Sequence, residues 1–387
     1  MSTTQEPIAV VGGGAAGIAT ALALAARGLP SRVFERAGSA NEIDRGDIVH
    51  PGSVPLLHRW GAWDAVTAAG PLDFADFRVV DGDGSPLFTA NTRSLLGRDC
   101  HLTALRHPDI VTALHAAAAG TGLVDFHGSE PVSELITERG RVTGVRTGGG
   151  AEYPAPVTVV ATGTRSKLRA QHFGGHRSYD YGTSFFNARI TALDAYRGCG
   201  YYVLDREGVL VMVALPGDEM RIGIQFDTAV RDDRPSAATF AAHARRILRP
   251  LRRYALDFIE GHTYRLEGVL ADAWWRPGAV LAGDVAHTVH PTGGQGMNLA
   301  FGDAEALASR VAALDLAAGD AVDAACRDYA AHRRARVRAV FRRSHLGGRL
   351  ATLRRPAAIA ARRAVLRTAD HLPPLKRAVI RRLVEVR

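Results

Sequence analysis

Three glycines near the start of the chain are spaced Gly12-x-Gly14-x-x-Gly17, with Ala15 and Ala16 completing the candidate contact set. Such a turn cradles a diphosphate. The first glycine permits the bend, the second lets the backbone approach the phosphates, and the third lets helix and strand close up. Glu35 follows 18 residues after Gly17, where a carboxylate can accept hydrogen bonds from a ribose. The elements that position these groups are legible. Ile8–Val11 is a short apolar strand, Ala15–Arg27 an Ala- and Leu-rich helix ending at Gly28, and Ser31–Glu35 a second strand. Together they form a β-α-β unit of about 30 residues. It predicts dinucleotide binding but does not separate FAD from NAD.

A second glycine-rich stretch makes that separation. Leu281-Ala-Gly283-Asp284-Val-Ala-His287-Thr-Val-His290-Pro291-Thr-Gly-Gly294-Gln-Gly296-Met297-Asn298 leads into a predicted helix over Gly296–Leu314. The N–H groups of Gly296, Met297 and Asn298 then converge at a helix start, which stabilises negative charge. This long stretch resembles the GD motif of FAD-dependent aromatic hydroxylases of the p-hydroxybenzoate hydroxylase type. In spacing, the segment Arg45–Asp64 is similar to the quinone-biosynthesis hydroxylase branch of that family. The resemblance implies FAD, with Gly283 and Asp284 at the ribityl chain and Pro291, Gly294 and the following turn against the isoalloxazine. It also implies cofactor contacts for Arg36, Arg45, Arg106 and, through its backbone, Val132. One block departs from the family's Asp-Gly-x-x-Ser-x-x-Arg pattern. Thr162-Gly163-Thr-Arg-Ser166-Lys-Leu-Arg169 has Thr162 in place of the aspartate. NAD(P)H is implied as a transient electron donor, and no second Gly-x-Gly-x-x-Gly provides it with a domain of its own.

The activity implied is monooxygenation: hydroxylation or epoxidation of an aromatic or polycyclic, natural-product-like substrate by O2, through a flavin C4a-hydroperoxide. The cofactor carries that chemistry, so no side chain is demanded as essential catalyst. His290, beside Pro291, is the candidate proton-relay residue. His287 and His290 lack a third metal partner, so no metal is expected. The pocket is expected on a sheet whose alternate residues face the flavin. Candidates are Phe185, Tyr201, Met212 and Gln225, with Leu210 and Ala214 on the face of Met212, and Arg221 and Gly223 on that of Gln225. Two rival readings are a flavin oxidase or reductase without oxygen insertion, and a non-redox flavoprotein with a cyclase or binding role.

With 387 residues, 47% apolar and 22% charged, the chain has material for a large core and two or three domains. Disulfide scaffolds and wholesale disorder are excluded by composition. Three scattered cysteines, no basic leader and no long apolar run give the expectation of a cytoplasmic protein. The net charge of +9 is uneven: residues 332–387 hold 17 Lys/Arg against 2 Asp/Glu, so the remainder is mildly acidic. A nucleic-acid partner is therefore not implied. The basic tail reads as helices packed back on the FAD domain, a dimer contact, or a surface for a membrane or acidic carrier protein. A monomer and a homodimer are both compatible with the sequence. The expected fold is α/β: a Rossmann-like FAD-binding domain (1–73, 99–172, 270–346), an inserted antiparallel-sheet substrate domain (74–98, 173–269), and basic C-terminal helices (347–387).

Overall fold

The computed structural model describes residues 6–38, 47–227 and 236–384. Arg45 lies outside the described residues. Ile8–Val11, buried at every position, lies inside a six-stranded sheet. A strand with parallel neighbours on both sides and helices on both faces needs such an unbroken apolar run. Its parallel neighbours are Thr158–Val160 and Ser31–Phe34. Ala279–Leu281 and Val124–His127 extend the sheet in parallel, and Trp275–Arg276 closes one edge antiparallel. In the helix Ala15–Ala25 every residue from Gly17 onward is buried. Alanine and leucine favour the helix, and its small side chains let it pack between the sheet and the helix Gly296–Val311. Gly28, with φ +75°, turns the chain out of that region in a left-handed conformation.

The second layer is an eight-stranded sheet in the order His287–Thr288, Phe258–Ala271, His176–Thr191, Glu219–Asp227, Gly208–Leu215, Cys199–Asp205, Asp76–Asp81, Pro86–Asn91. The hairpin Asp76–Asn91 joins it from far away in sequence, through a parallel pairing with Cys199–Asp205. The expected Rossmann-like domain with inserted antiparallel sheet and C-terminal helices is the architecture observed. Two local expectations differ. The basic stretch Ala237–Tyr254, which reads in sequence as one helix, is helical only to Ile247 and continues as a 3-10 turn, Arg249–Arg253, because Pro250 cannot donate within it. The strand Phe258–Ala271 was not anticipated. Its Gly261 and Gly268 lie beneath the rings of Phe186 and Phe341, so the usual alternation of side chains is broken there.

The register fixes which residues share a face. Met212 stands opposite Ile222 and Leu210 opposite Ile224, and these pack with Phe240, Ala244 and Ile247 of the helix Ala237–Ile247. Val213 lies on the other face, packed with Phe74, Phe77 and Leu102. At the C-terminus, the long helix Gly319–Ala351 is followed by Pro356–His371 and Pro373–Val384. Proline at a helix start loses only an N–H that would be unpaired anyway. These last two helices lie along the outer hairpin rather than against the six-stranded sheet. Ala369 and Ile380 pack on Phe88 and Ala90. Asp370 accepts from Thr89 N at 2.7 Å and pairs with Lys376 Nζ at 2.9 Å. They thereby cover the edge strand Pro86–Asn91, which would otherwise present an open row of backbone groups.

Candidate functional site

The first glycine turn is locked at both ends and open in the middle. Gly12 has φ +112°, and an added Cβ there would stand 2.5 Å from Ala161 O. At Gly17 a Cβ would stand 1.7 Å from Gly12 O. At Gly14, the N-cap of the helix Ala15–Ala25, a Cβ would meet nothing within 4 Å. No side chain caps that helix start and no acid lies in its first turn, so the turn suits an anion. Glu35 aims at the same place: its carboxylate accepts from Gly13 N at 2.6 Å and Ala37 N at 3.0 Å. His115 Nε2 donates to Gly13 O at 2.7 Å and fixes the turn from the helix side. Burial lowers its pKa, opposed by Gly13 and Glu35.

The second glycine turn comes directly against the first. Gly283 has φ +74°, and a Cβ there would lie 2.6 Å from Ala16 Cβ. Asp303, fully buried, holds Gly283 in position. It accepts from Gly283 N at 2.9 Å and Arg333 Nε at 2.7 Å, and lies 2.6 Å from His287 Nε2. Burial alone would raise its pKa, but the charges of His287 and Arg333 prevail and hold it at about 2. Asp284 is half-buried, and a Cβ on Gly296 would stand 3.8 Å from its Oδ1. The helix Gly296–Val311 has no side-chain cap and no acid in its first turn. Asn298 instead works sideways. Its Oδ1 accepts from His50 N and Ser53 Oγ, and its Nδ2 donates to Ile48 O and Gly294 O. Met297 is buried, while Pro291 and Gly294 remain half-exposed around the turn.

Two uncapped helix starts, a glycine whose side-chain position is open, and acids at Glu35 and Asp284 fit an elongated cofactor with a diphosphate in the middle. The other candidate contacts have protein surroundings of their own. Arg36 is exposed, and Val132 opens a strand opposite Thr147. Arg106 forks onto Asp109 at 2.6 and 2.8 Å. Thr162 Oγ1 donates to Ser166 Oγ at 2.6 Å, and Ser166 caps the helix carrying Arg169, whose Nη1 donates to Val285 O at 2.9 Å. That block therefore braces the second glycine turn.

Between the second turn and the eight-stranded sheet lies a narrow apolar cavity. Gly293 and His50 line it from one side, Tyr202, Val211, Val213, Phe74 and Phe77 from the other. Tyr201 and Met212 also border it, although their register places them with Ile222 on the opposite face of the sheet. Phe185 and Gln225 lie outside it. The Phe185 ring covers Gly223 and approaches Tyr264 at 5.7 Å, and Gln225 Nε2 donates to Thr183 Oγ1 at 2.9 Å. Arg221 forms a buried ion pair with Asp47, at 2.9 and 3.1 Å, which joins the sheet to the segment entering the site. The sequence reading missed His50, Tyr202, Val213, Asp47 and Leu383, a cavity residue from the last helix. In Val209–Leu215 both faces are apolar, so alternation carried no signal. A single-residue offset then exchanges Tyr201 and Met212 for Tyr202 and Val213.

His290 is buried against Tyr181, with ring centroids 4.7 Å apart, and Tyr181 Oη lies 3.3 Å from His345 Nδ1. Burial, aided by the charge of His345, holds the His290 pKa down to about 4. Burial also lowers that of His50 to about 4, against the backbone of Gly293 and Val384. Both rings are therefore neutral at pH 7. Behind this cluster a second cavity of about 270 Å³ is lined by Arg177, Tyr179, Leu270, Arg338, Phe341 and Arg342. Among the described residues there is no group of three or more side chains suited to a metal ion, and no helix is long and apolar enough to cross a membrane.

Comparison with known proteins bears on this geometry. The FAD binding domain family matches the chain over residues 5–344. The chain is 28% identical over 314 residues to 6-methylpretetramide 4-monooxygenase of Streptomyces rimosus, covering 77% of this chain and 73% of that protein. It is 28% identical over 344 residues to the ubiquinone hydroxylase UbiL of Rhodospirillum rubrum, covering 84% and 77%. The crystal structure of p-nitrophenol 4-monooxygenase PnpA from Pseudomonas putida DLL-E4 superposes with a TM-score of 0.85 at 21% identity, over 99% of each chain, and shares the fold.

The two buried histidines give the stability a pH dependence. The unfolded chain accepts these protons near pH 6.5, whereas the folded chain resists them down to about pH 4. Their contribution is complete above about 6.5 and falls as pH drops through that window. The unfolding free energy from urea titration, and with it the midpoint, is expected to fall between about pH 7.5 and about pH 5, the free energy by on the order of 2 kcal/mol per histidine. A level midpoint across that interval contradicts buried neutral rings.

Proposed function

The chain belongs to the FAD binding domain family and is an FAD-dependent monooxygenase, and on that premise we propose that it oxygenates an aromatic or polycyclic small molecule held in the apolar cavity beside Gly293. The observation that carries this reading is the double position of Gly293. It lines the cavity and belongs to the turn that opens the helix Gly296–Val311. Whatever rests in the cavity is thus adjacent to the turn assigned to the flavin ring.

FAD, when bound, supplies electron uptake from NAD(P)H and activation of O2. The chain's own residues do the rest. Gly14, Ala15 and Ala16 leave the first helix start free to take the diphosphate. Glu35 serves the adenosine ribose, with Arg36 and Val132 nearby on the adenosine side. Asp284 serves the ribityl chain, and Gly283 and Arg106 lie along the cofactor's path. The start of the helix at Gly296, Met297 and Asn298 stabilises negative charge at the ring. The apolar wall of Phe74, Phe77, Val211 and Val213 excludes water, which would otherwise divert activated oxygen. His290, a neutral imidazole packed edge-on against Tyr181, is the candidate to move a proton toward Tyr181 Oη and His345 Nδ1.

For the electron donor we propose the arginine-lined cavity. Among the described residues, Arg177, Arg338 and Arg342 form no ion pair with a carboxylate, whereas Arg189, Arg221 and Arg333 each do. Arg338 and Arg342 stand four residues apart on one helix face, a like-charge spacing that costs stability without an anion between them. Guanidiniums bind phosphate bidentately, and the aromatic wall of Tyr179 and Phe341 suits a flat ring.

Three measurements test this function. Incubation with NAD(P)H, candidate aromatics and labelled O2 is expected to place one labelled oxygen atom in the product. Product without label, or substrate turnover without NAD(P)H, favours the oxidase or cyclase reading. Gly14→Val is expected to fold, since a Cβ there meets nothing within 4 Å, yet to retain less than about a tenth of the wild-type flavin. A fully yellow variant contradicts the diphosphate assignment. Arg338→Glu is expected to raise the NAD(P)H concentration for half-maximal flavin reduction about tenfold or more while dithionite reduction and FAD content stay unchanged. An unchanged nucleotide dependence removes the donor from that cavity.

A further inference from the structure

The apolar cavity, as closed here, measures about 30 Å³. A site that takes a single benzene ring measures about 150 Å³. An aromatic substrate therefore cannot enter unless a wall moves. Most of the wall is fixed: its strands sit within the eight-stranded sheet or the three-stranded sheet of Ile48–Val49, Leu102–Ala104 and Leu72–Phe74, and Gly293 is followed by Asn298, whose four side-chain hydrogen bonds hold the turn. The exception is Leu383, in the last turn of the helix Pro373–Val384.

That helix is gripped from one side only. Ile380 and Val384 are buried toward the sheet, while Leu375 and Val379 are 43% and 42% exposed on its outer side. Gln295 Nε2 donates to Leu383 O, and beside this bond the His50 ring faces the backbone of both Gly293 and Val384. Gln295 is the residue that opens the helix Gly296–Val311. The Gln295 bond therefore ties this wall to the turn assigned to the flavin. The helix also lies wholly beyond residue 344, where the match to the FAD binding domain family ends.

We propose that the last turn of this helix is the substrate gate, with Gln295 as its latch and Leu383 as the residue that sets the size of ring admitted. This rests on the oxygenase reading for the identity of what enters, but the latch itself is tested without any substrate. Lys376, Arg377, Arg381 and Arg382 make the gate a run of tryptic sites that helical structure protects. In protein saturated with FAD, Gln295→Ala is expected to speed tryptic cleavage at Arg381 and Arg382 at least fivefold over the equally saturated wild type. Cleavage at the wild-type rate overturns the latch.

The size filter is read by binding two probes, 4-hydroxybenzoate and a dihydroxyanthraquinone, to the oxidised holoprotein by flavin difference spectra. Leu383→Ala is expected to tighten the anthraquinone about tenfold and leave the single-ring probe nearly unchanged. Leu383→Trp is expected to weaken the anthraquinone about tenfold. Equal binding by wild type and both variants overturns the role of Leu383. If neither probe binds any of the three, the substrate reading falls, while the proteolysis still decides the latch.

Discussion

Gly283 occupies a place that only glycine can fill: its φ is +74° and a Cβ would stand 2.6 Å from Ala16 Cβ. That contact joins two glycine turns that lie more than 260 residues apart in the chain. The buried carboxylate of Asp303 maintains it, by accepting from Gly283 N, facing His287 and taking the guanidinium of Arg333. A buried charge persists only when it is paired and fully bonded, and Asp303 meets that condition with three partners, two from the second glycine-rich stretch and one from the helix Gly319–Ala351. Removing Arg333 takes away the guanidinium that pairs this buried charge. The cleft for the cofactor exists because this cluster keeps the turns pressed together.

The same logic extends outward. Arg221 and Asp47 form a second buried pair, this one between the inserted sheet and the segment that Asn298 holds beside Gly294. It sets where the sheet lies above the flavin turn, and so where the apolar cavity opens. Thr162 departs from the family pattern, yet its hydroxyl bonds Ser166, and Arg169 reaches the carbonyl of Val285. The block keeps its bracing role toward the second turn without the carboxylate. Charged groups thus fix the framework, and apolar groups are left to line the place where chemistry occurs.

The glycine turns were legible because their function depends on what is absent, and glycine spacing records that directly. Glu35 was singled out by its distance from the first turn, and Asp284 by the resemblance of the motif that carries it; both stand beside a glycine turn. The faces of the inserted sheet were not, since Val209–Leu215 is apolar on both sides and the register that separates Val213 from Met212 comes from tertiary pairing. The strand Phe258–Ala271 was obscured by glycines set beneath aromatic rings. Asp303 was hidden because a single aspartate within an Ala-rich helix gives no local sign of partners 16 and 30 residues away. Leu383 was hidden for a related reason: the basic charge of the tail dominated its sequence, while its contribution to the site is one apolar side chain.

The central claim is that both glycine turns close around one FAD. Titration of the purified protein with FAD, followed by quenching of flavin fluorescence, tests it most directly. A saturable endpoint of one flavin per chain is predicted, with Asp303→Asn weakening it at unchanged stoichiometry because Gly283 is no longer held against Ala16. A protein that quenches no flavin, or an Asp303→Asn variant that binds as the wild type does, would contradict the account.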